Sequence, residues 1–191
     1  MQENKLKLNI KENIDIMKIK ITEYPTEKDF IEVKRRALVT IGKKSKTPPT
    51  EEWIKRIVEA NHSPIRRLRF SFDLIGIPSW LATHLSRHVH AQPYIKSQRN
   101  DRQEEYDRNL APQNAPVDMI WDMNAEELVT IAHKRLCKQA SKETREVMQE
   151  ICRQVIEVAP YMKDVLVPLC AYRHCCTEFN PCGLYKKYEK I

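Results

Sequence analysis

Glycine is scarce in this chain, at 3 residues against 11 prolines in 191. Gly-rich phosphate loops of the dinucleotide or P-loop kind need several glycines close together, so both are excluded. Any phosphate must be held by side chains and helix ends. Aromatic residues are also few, at 7%, which is low for a surface that stacks nucleic-acid bases. No apolar run reaches membrane-spanning length, and the first residues, MQENKLKLNIKEN, lack the apolar stretch of a secretion signal. The expectation is a cytoplasmic protein that does not enter a membrane. In a reducing compartment the six cysteines are thiols or metal ligands more often than disulfides.

What is present is a basic balance, with Lys+Arg 33 against Asp+Glu 26, a net charge of +7. It favours anionic partners such as nucleotides, nucleic acid or an anionic membrane, but for charge alone ordinary solubility charge is the preferred reading. The hydrophobic share of 41% supplies one domain-sized core. We expect a flexible tail over 1–14, one domain over 15–168 and a Cys-rich extension over 169–191.

The class read from the pattern is α/β (α+β), helix-rich. Residues 14–24 alternate as a strand, and 26–43 read as a helix capped by Thr26 with Asp29 at the capping-box position. Thr50 caps a helix over 51–60. A strand is expected near 66–75, with Leu68, Phe70 and Phe72 on one face and Arg67, Arg69 and Ser71 on the other. A helix from Ser79 to His90 would place His84, Arg87 and His88 on one face. Residues 100–123 read as irregular. One long helix is expected from Asn124 to about Val158, capped by Asn124 with Glu127 and stopped by Pro160. A short helix follows within 160–170. Trp53, Trp80 and Trp121 are assigned to the core.

Chemistry concentrates in LSRHVHAQPYIKSQRNDR, residues 85–102. Arginine suits phosphate because its planar fork donates two parallel charge-assisted hydrogen bonds. Arg87 and Arg99, with Ser97 between them, therefore look like an anion site. The spacing is more specific. Arg-His-Val (87–89), seven residues, then Ser97-Gln98-Arg99 resembles the Arg-His-Arg, seven residues, Ser-x-Arg signature of the flavin-dependent thymidylate synthases, the ThyX family.

Other blocks follow in the same order. FSFDLIGIPSWLATHLSRH resembles the family's strand and helix leading into the motif, with His84 at a position where the family has Gln. EYDRNLAP (105–112) resembles Glu-x-Ala-Arg-x-x-Leu-Pro, which matches Glu105, Arg108 and Pro112. NAEELVTIAHKR (124–135) resembles Asn-Ala-Arg-Ser-Leu and the helix after it, which matches Asn124, Ala125, Leu128 and Arg135. QASKETRE (139–146) resembles the Ala-Gln-x-Glu-Ile-Arg block. The resemblance spans roughly residues 60 to 150. Val89 departs from it in place of a third Arg, Arg66-Arg67 stand in place of Glu-His, and the family's longer segment between Arg99 and Glu105 is nearly absent.

The resemblance implies a homotetramer that methylates deoxyuridylate to thymidylate. It implies FAD as cofactor, methylenetetrahydrofolate as carbon donor and NADPH as reductant. Arg87 and His88 would lie against the flavin, with Asn124 and Ser63 as further cofactor contacts. His84, Ser97, Gln98, Arg99 and Arg108 would hold the deoxyuridine nucleotide. Arg135 would sit between flavin and pyrimidine, so Arg87 and Arg135 are the catalytic candidates.

The tail raises a separate question. Cys170, Cys175, Cys176 and Cys182 fall within a short turning segment, with His174 among them, and clustered thiolates suit a tetrahedral Zn²⁺. Adjacent Cys175 and Cys176 cannot both ligate one ion easily, so Cys137 or His174 is a substitute. Unconnected thiols are the plainer reading. Three alternatives stay open: a nucleotide-binding relative without methyl transfer, a zinc-stabilised nucleic-acid-binding protein, and a metallohydrolase built on His84 and His88. Low aromatic content weighs against nucleic acid as partner.

Overall fold

The structure is a computed structural model that describes residues 17–102 and 106–187. Among these, four antiparallel strands form one sheet in the order β1-β2-β4-β3, with helices packed on its apolar face. The mixed, helix-rich single-domain class is borne out.

The first strand, β1, runs Lys18–Glu23. It is an edge strand, and its outer side meets a side chain rather than another strand. The Gln154 amide accepts a hydrogen bond from the Ile21 N–H at 2.7 Å and donates one to the Ile19 carbonyl at 2.7 Å. Helix α1 follows over Glu27–Val39. The Asp29 carboxylate accepts from both the N–H and the hydroxyl of Thr26, each at 2.9 Å, and so satisfies one backbone donor at the helix start. Helix α2, Glu51–Glu59, opens on Thr50, whose hydroxyl accepts from the Trp53 N–H at 3.3 Å. It ends at Asn61, a residue at φ +45°, in the left-handed turn that Asn tolerates better than most side chains.

The expected strand at 66–75 begins later. Pro64 starts a single 3-10 turn over Ser63–Arg67, and β2 runs Arg69–Pro78. Phe70, Phe72 and Leu74 point inward as read. Ser71, expected on the solvated face, is buried because its hydroxyl donates to Asp122 at 2.6 Å on the neighbouring strand. Near the end of β2 the register with β4 slips between Leu74 and Ile77. Gly76 sits there at φ +69°, with its N–H on the Asp118 carboxylate at 2.9 Å, the geometry of a glycine bulge.

Three expectations are corrected here. The helix from Ser79 to His90 is only Ser79–Leu85, our α3; the chain then turns, with the His88 N–H on the Leu85 carbonyl. His84 and His88 therefore do not share a helix face. The irregular 100–123 contains a full strand, β4 over Pro116–Asn124, whose Val117, Met119, Trp121 and Met123 are all buried. It pairs on its other side with a short strand that was read as an interruption, β3 over Gln92–Ile95. Finally, the long helix is two. Helix α4 is Ala125–Arg135, and α5 is Lys142–Val158, which restarts at Ser141 with its hydroxyl accepting from the Thr144 N–H. A last short helix, α6, covers Leu169–Arg173.

Sheet and helices share one core. Phe70, Phe72, Leu74, Met119 and Trp121 meet Leu128 and Ile131 of α4 and Val147, Met148, Ile151 and Val155 of α5. Burying each large apolar side chain contributes about 1.5–3 kcal/mol. The result is a rigid platform from which the α3–β3 turn and the start of α4 project. Trp121 lies in this core, and Trp53 and Trp80 pack against it.

Candidate active site

The turn after α3 delivers His88 into the interior, where its side chain is 7% exposed. Its ring packs at a tilt on Trp121, with centroids 6.3 Å apart. The Arg135 Nε–H, from the end of α4, donates to His88 Nε2 at 2.9 Å, and the Arg135 Nη2 donates to the His84 carbonyl at 3.2 Å. An Nε2 that accepts carries no proton, so the proton of the neutral ring is on Nδ1. That nitrogen faces Glu127 Oε1 at 3.7 Å. The three side chains thus line up as Arg135, His88 and Glu127.

Electrostatics follow from burial. Burial, reinforced by Arg135 and Lys134, pushes the His88 imidazolium down to about 4, so the ring is neutral near pH 7. Burial also raises the Glu127 carboxyl, against the pull of His90 and Lys134. Arg135 is lowered by its own burial and by the nearby guanidinium of Arg87. Arg87 and Arg135 are therefore close enough to repel each other. Among the described residues neither has a carboxylate partner. Guanidinium groups without a carboxylate partner are the donor type that an anion takes.

Asn124 caps α4 with its side-chain carbonyl on the Glu127 N–H at 2.9 Å. With Arg66, His90, Glu126 and Glu127 it lines a cavity of about 210 Å³. Arg66 forms a two-pronged ion pair with Glu126 across that cavity. Ser63 opens the 3-10 turn on the same segment and is exposed. His84 turns its ring edge-on to Trp80, 5.4 Å away; only its carbonyl joins the network.

The other expected residues form a second group beyond β3. Arg99 is paired through two hydrogen bonds with Asp101, at 2.9 and 2.5 Å. Its backbone N–H reaches the Ser97 hydroxyl at 3.4 Å. The Arg108 N–H donates to the Asn100 side chain at 3.1 Å, and the Arg108 charge helps hold Asp101 below the usual carboxylate range, behind the larger effect of Arg99. Gln98 is half-buried. Of the expected Arg87, Ser97 and Arg99 cradle, the structure joins Arg99 to Ser97 through its backbone. Glu105 lies outside the described residues.

Two acids escaped the sequence reading as site residues. Glu126 and Glu127 stand where the ThyX pattern has Arg-Ser, and Glu127 was noticed only as part of a cap. That departure was itself the signal.

A family description, thymidylate synthase complementing protein (Thy1), matches residues 99–161. The folded chain superimposes on the crystal structure of thymidylate synthase X (ThyX) from Helicobacter pylori with FAD and dUMP. The TM-score is 0.64 at 16% identity, covering 78% of this chain and 99% of that one. The resemblance to ThyX is borne out in sequence and in fold. A second structure of the Helicobacter pylori enzyme, flavin-dependent thymidylate synthase complexed with FAD and dUMP, gives 0.63 at 14% identity over the same shares. No curated protein sequence matches the chain. The ThyX likeness extends over 78% of this chain, and the matched family description takes in β4, α4 and α5. Among the described residues no helix is long and apolar enough to cross a membrane.

Proposed function

We propose that this chain is a flavin-dependent thymidylate synthase of ThyX type, which binds FAD and deoxyuridylate and methylates the pyrimidine. The observation that carries the reading is Arg135, held by buried His88 and the His84 carbonyl and without a carboxylate partner among the described residues, with the charge of Arg87 acting on it. A ThyX fold with such an arginine fits an anionic group at the motif where the resemblance puts the flavin. Arg87, His88, Asn124 and Ser63 would hold FAD. Ser97, Gln98, Arg99 and Arg108 would take the nucleotide, the two arginines at its phosphate.

When bound, the reduced flavin supplies the hydride, methylenetetrahydrofolate the carbon and NADPH the reducing equivalents. The residues of this chain position and balance charge. Neutral His88 directs Arg135 without competing with it for the anion. Arg135, partly desolvated, is worth more to a charge developing on the pyrimidine than a solvated arginine would be.

A second copy of the chain has a surface to meet. Ile75, Tyr94 and Ile120 stand exposed on one face of β2, β3 and β4, and we assign this face to the homotetramer. Mass photometry of the purified chain tests it, and a monomer at all concentrations overturns it. The functional reading is tested by visible absorption during FAD titration, then with dUMP added. Saturable flavin bands that shift with dUMP support it. A protein that ignores both removes it in favour of a relative without this chemistry.

A further inference from the structure

The cysteines form a second centre, independent of the flavin reading. Cys137, Cys170, Cys176 and Cys182 line one small cavity, together with His133 and Glu178. Its volume is about 10 Å³, room for a single small atom. These thiols come from three places: the turn after α4, helix α6, and the tail.

The backbone explains how they converge. Gln139 donates to the Asn180 carbonyl at 2.6 Å, which ties the tail to the segment carrying Cys137. The Cys176 N–H bonds the Lys186 carbonyl at 2.8 Å, and Cys176 bridges to Lys187. The chain between them is a closed loop, reversed at Gly183 (φ +82°), and this returns Cys182 to the cavity. His174, at φ +56°, turns the chain at the end of α6. After that turn Cys176 lines the cavity and Cys175 does not. His133 is already committed, with Nε2 on the Val165 carbonyl at 3.1 Å and its ring against Tyr172.

We propose that this cavity is a structural Zn²⁺ site with Cys137, Cys170, Cys176 and Cys182 as its four ligands. It corrects the sequence-level set in one place: Cys137 enters and Cys175 leaves. All six cysteines are free thiols, and four soft sulfur donors lining one small cavity are the ligand type that a tetrahedral ion takes. As the side chains stand, no group of three or more His, Cys, Asp or Glu among the described residues is arranged to hold a metal. Seating the ion therefore draws the Sγ atoms inward. The exposed Cys182 beside Gly183 has the most freedom to move. Binding converts four thiols to thiolates and releases their four protons to solvent.

The test uses the full chain, purified under reducing conditions and analysed for metal, then stripped and titrated with CoCl₂ and ZnCl₂. We expect one zinc per chain, intense tetrahedral thiolate bands with cobalt, and their bleaching by zinc. Cys137→Ser and Cys182→Ser should each weaken zinc about 100-fold or more, while Cys175→Ser leaves it unchanged. Cys182→Ser, at an exposed turn, keeps the test valid if Cys137→Ser fails to fold. Absence of zinc with only weak cobalt bands overturns the proposal. So does equal loss in Cys175→Ser, or iron accompanied by labile sulfide.

Discussion

The two halves of the ThyX-like motif are built differently. The half at His88 is interior. Its histidine is 7% exposed, its hydrogen-bonding groups are matched to Arg135, and its shape is fixed by Trp121 and the end of α4 before any ligand arrives. The half at Arg99 lies on the surface, where Arg99 and Asp101 are 55% and 60% exposed. Its arginine is occupied by an acid two residues away. The first half is preorganised, and binding there costs little reordering. The second must exchange an internal carboxylate for a phosphate, so its affinity is a difference between two similar interactions.

That contrast can be broken at either end. The largest effect is expected from Arg135→Ala. It removes the donor to buried His88 and leaves Arg87 alone. We expect FAD affinity to fall about 100-fold and stability to fall by about 2 kcal/mol, the cost of an unsatisfied buried acceptor. Flavin titration and thermal melting read the two losses, and unchanged FAD binding would separate the network from the cofactor. Arg99→Ala should reduce dUMP affinity roughly 10- to 100-fold while the melting temperature stays put. A drop in melting temperature as large as that of Arg135→Ala would erase the distinction between the halves.

The interior half should also carry a pH signature. An unfolded histidine takes up its proton below about 6.5, but folded His88 does so only near 4. Its contribution is therefore complete above pH 6.5 and is lost as pH falls toward 4, by up to about 3 kcal/mol. The raised Glu127 acts in the opposite sense, losing stability as pH rises, so it offsets part of the change. Denaturant melts from pH 7 to 4 measure the slope, and His88→Leu should flatten it. The smallest effect is expected at the surface. Asp101→Asn frees Arg99 and should tighten dUMP about threefold, as an electrostatic competitor is removed. Weaker binding would mean that Asp101 orients the arginine instead of occupying it.

Much of the fold was legible in the sequence. Thr26, Thr50 and Asn124 marked three helix starts because capping is local chemistry, complete within four residues. The failures were long-range. His84 and His88 seemed to share a helix because propensity alone would continue past Leu85; burial of His88 between Trp121 and Arg135 outweighs it. The β4 strand was hidden behind Pro112 and Pro116, although the alternation of Val117, Met119, Trp121 and Met123 was there to read. The break at 136–141 holds no Gly or Pro, and Ser141 with Thr144 was its one local sign. At the site, residue types pointed to Arg135 and His88 through the family pattern. Their direct hydrogen bond, 47 positions apart in sequence, has no signature in composition or spacing. The convergence of Cys137 with the tail depends likewise on Gln139 reaching Asn180.

The Gln154 side chain at β1 has a consequence for how copies of this chain can meet. Its amide presents an acceptor and a donor to Ile21 and Ile19, the two groups that one residue of an additional strand would engage. Helix α5 thereby impersonates a neighbour, and lysines at 18 and 20 guard the same margin. The sheet is sealed on this flank. Among the described residues, growth of the sheet from one molecule to the next is left to the β3 edge, beside the loop that carries Arg99.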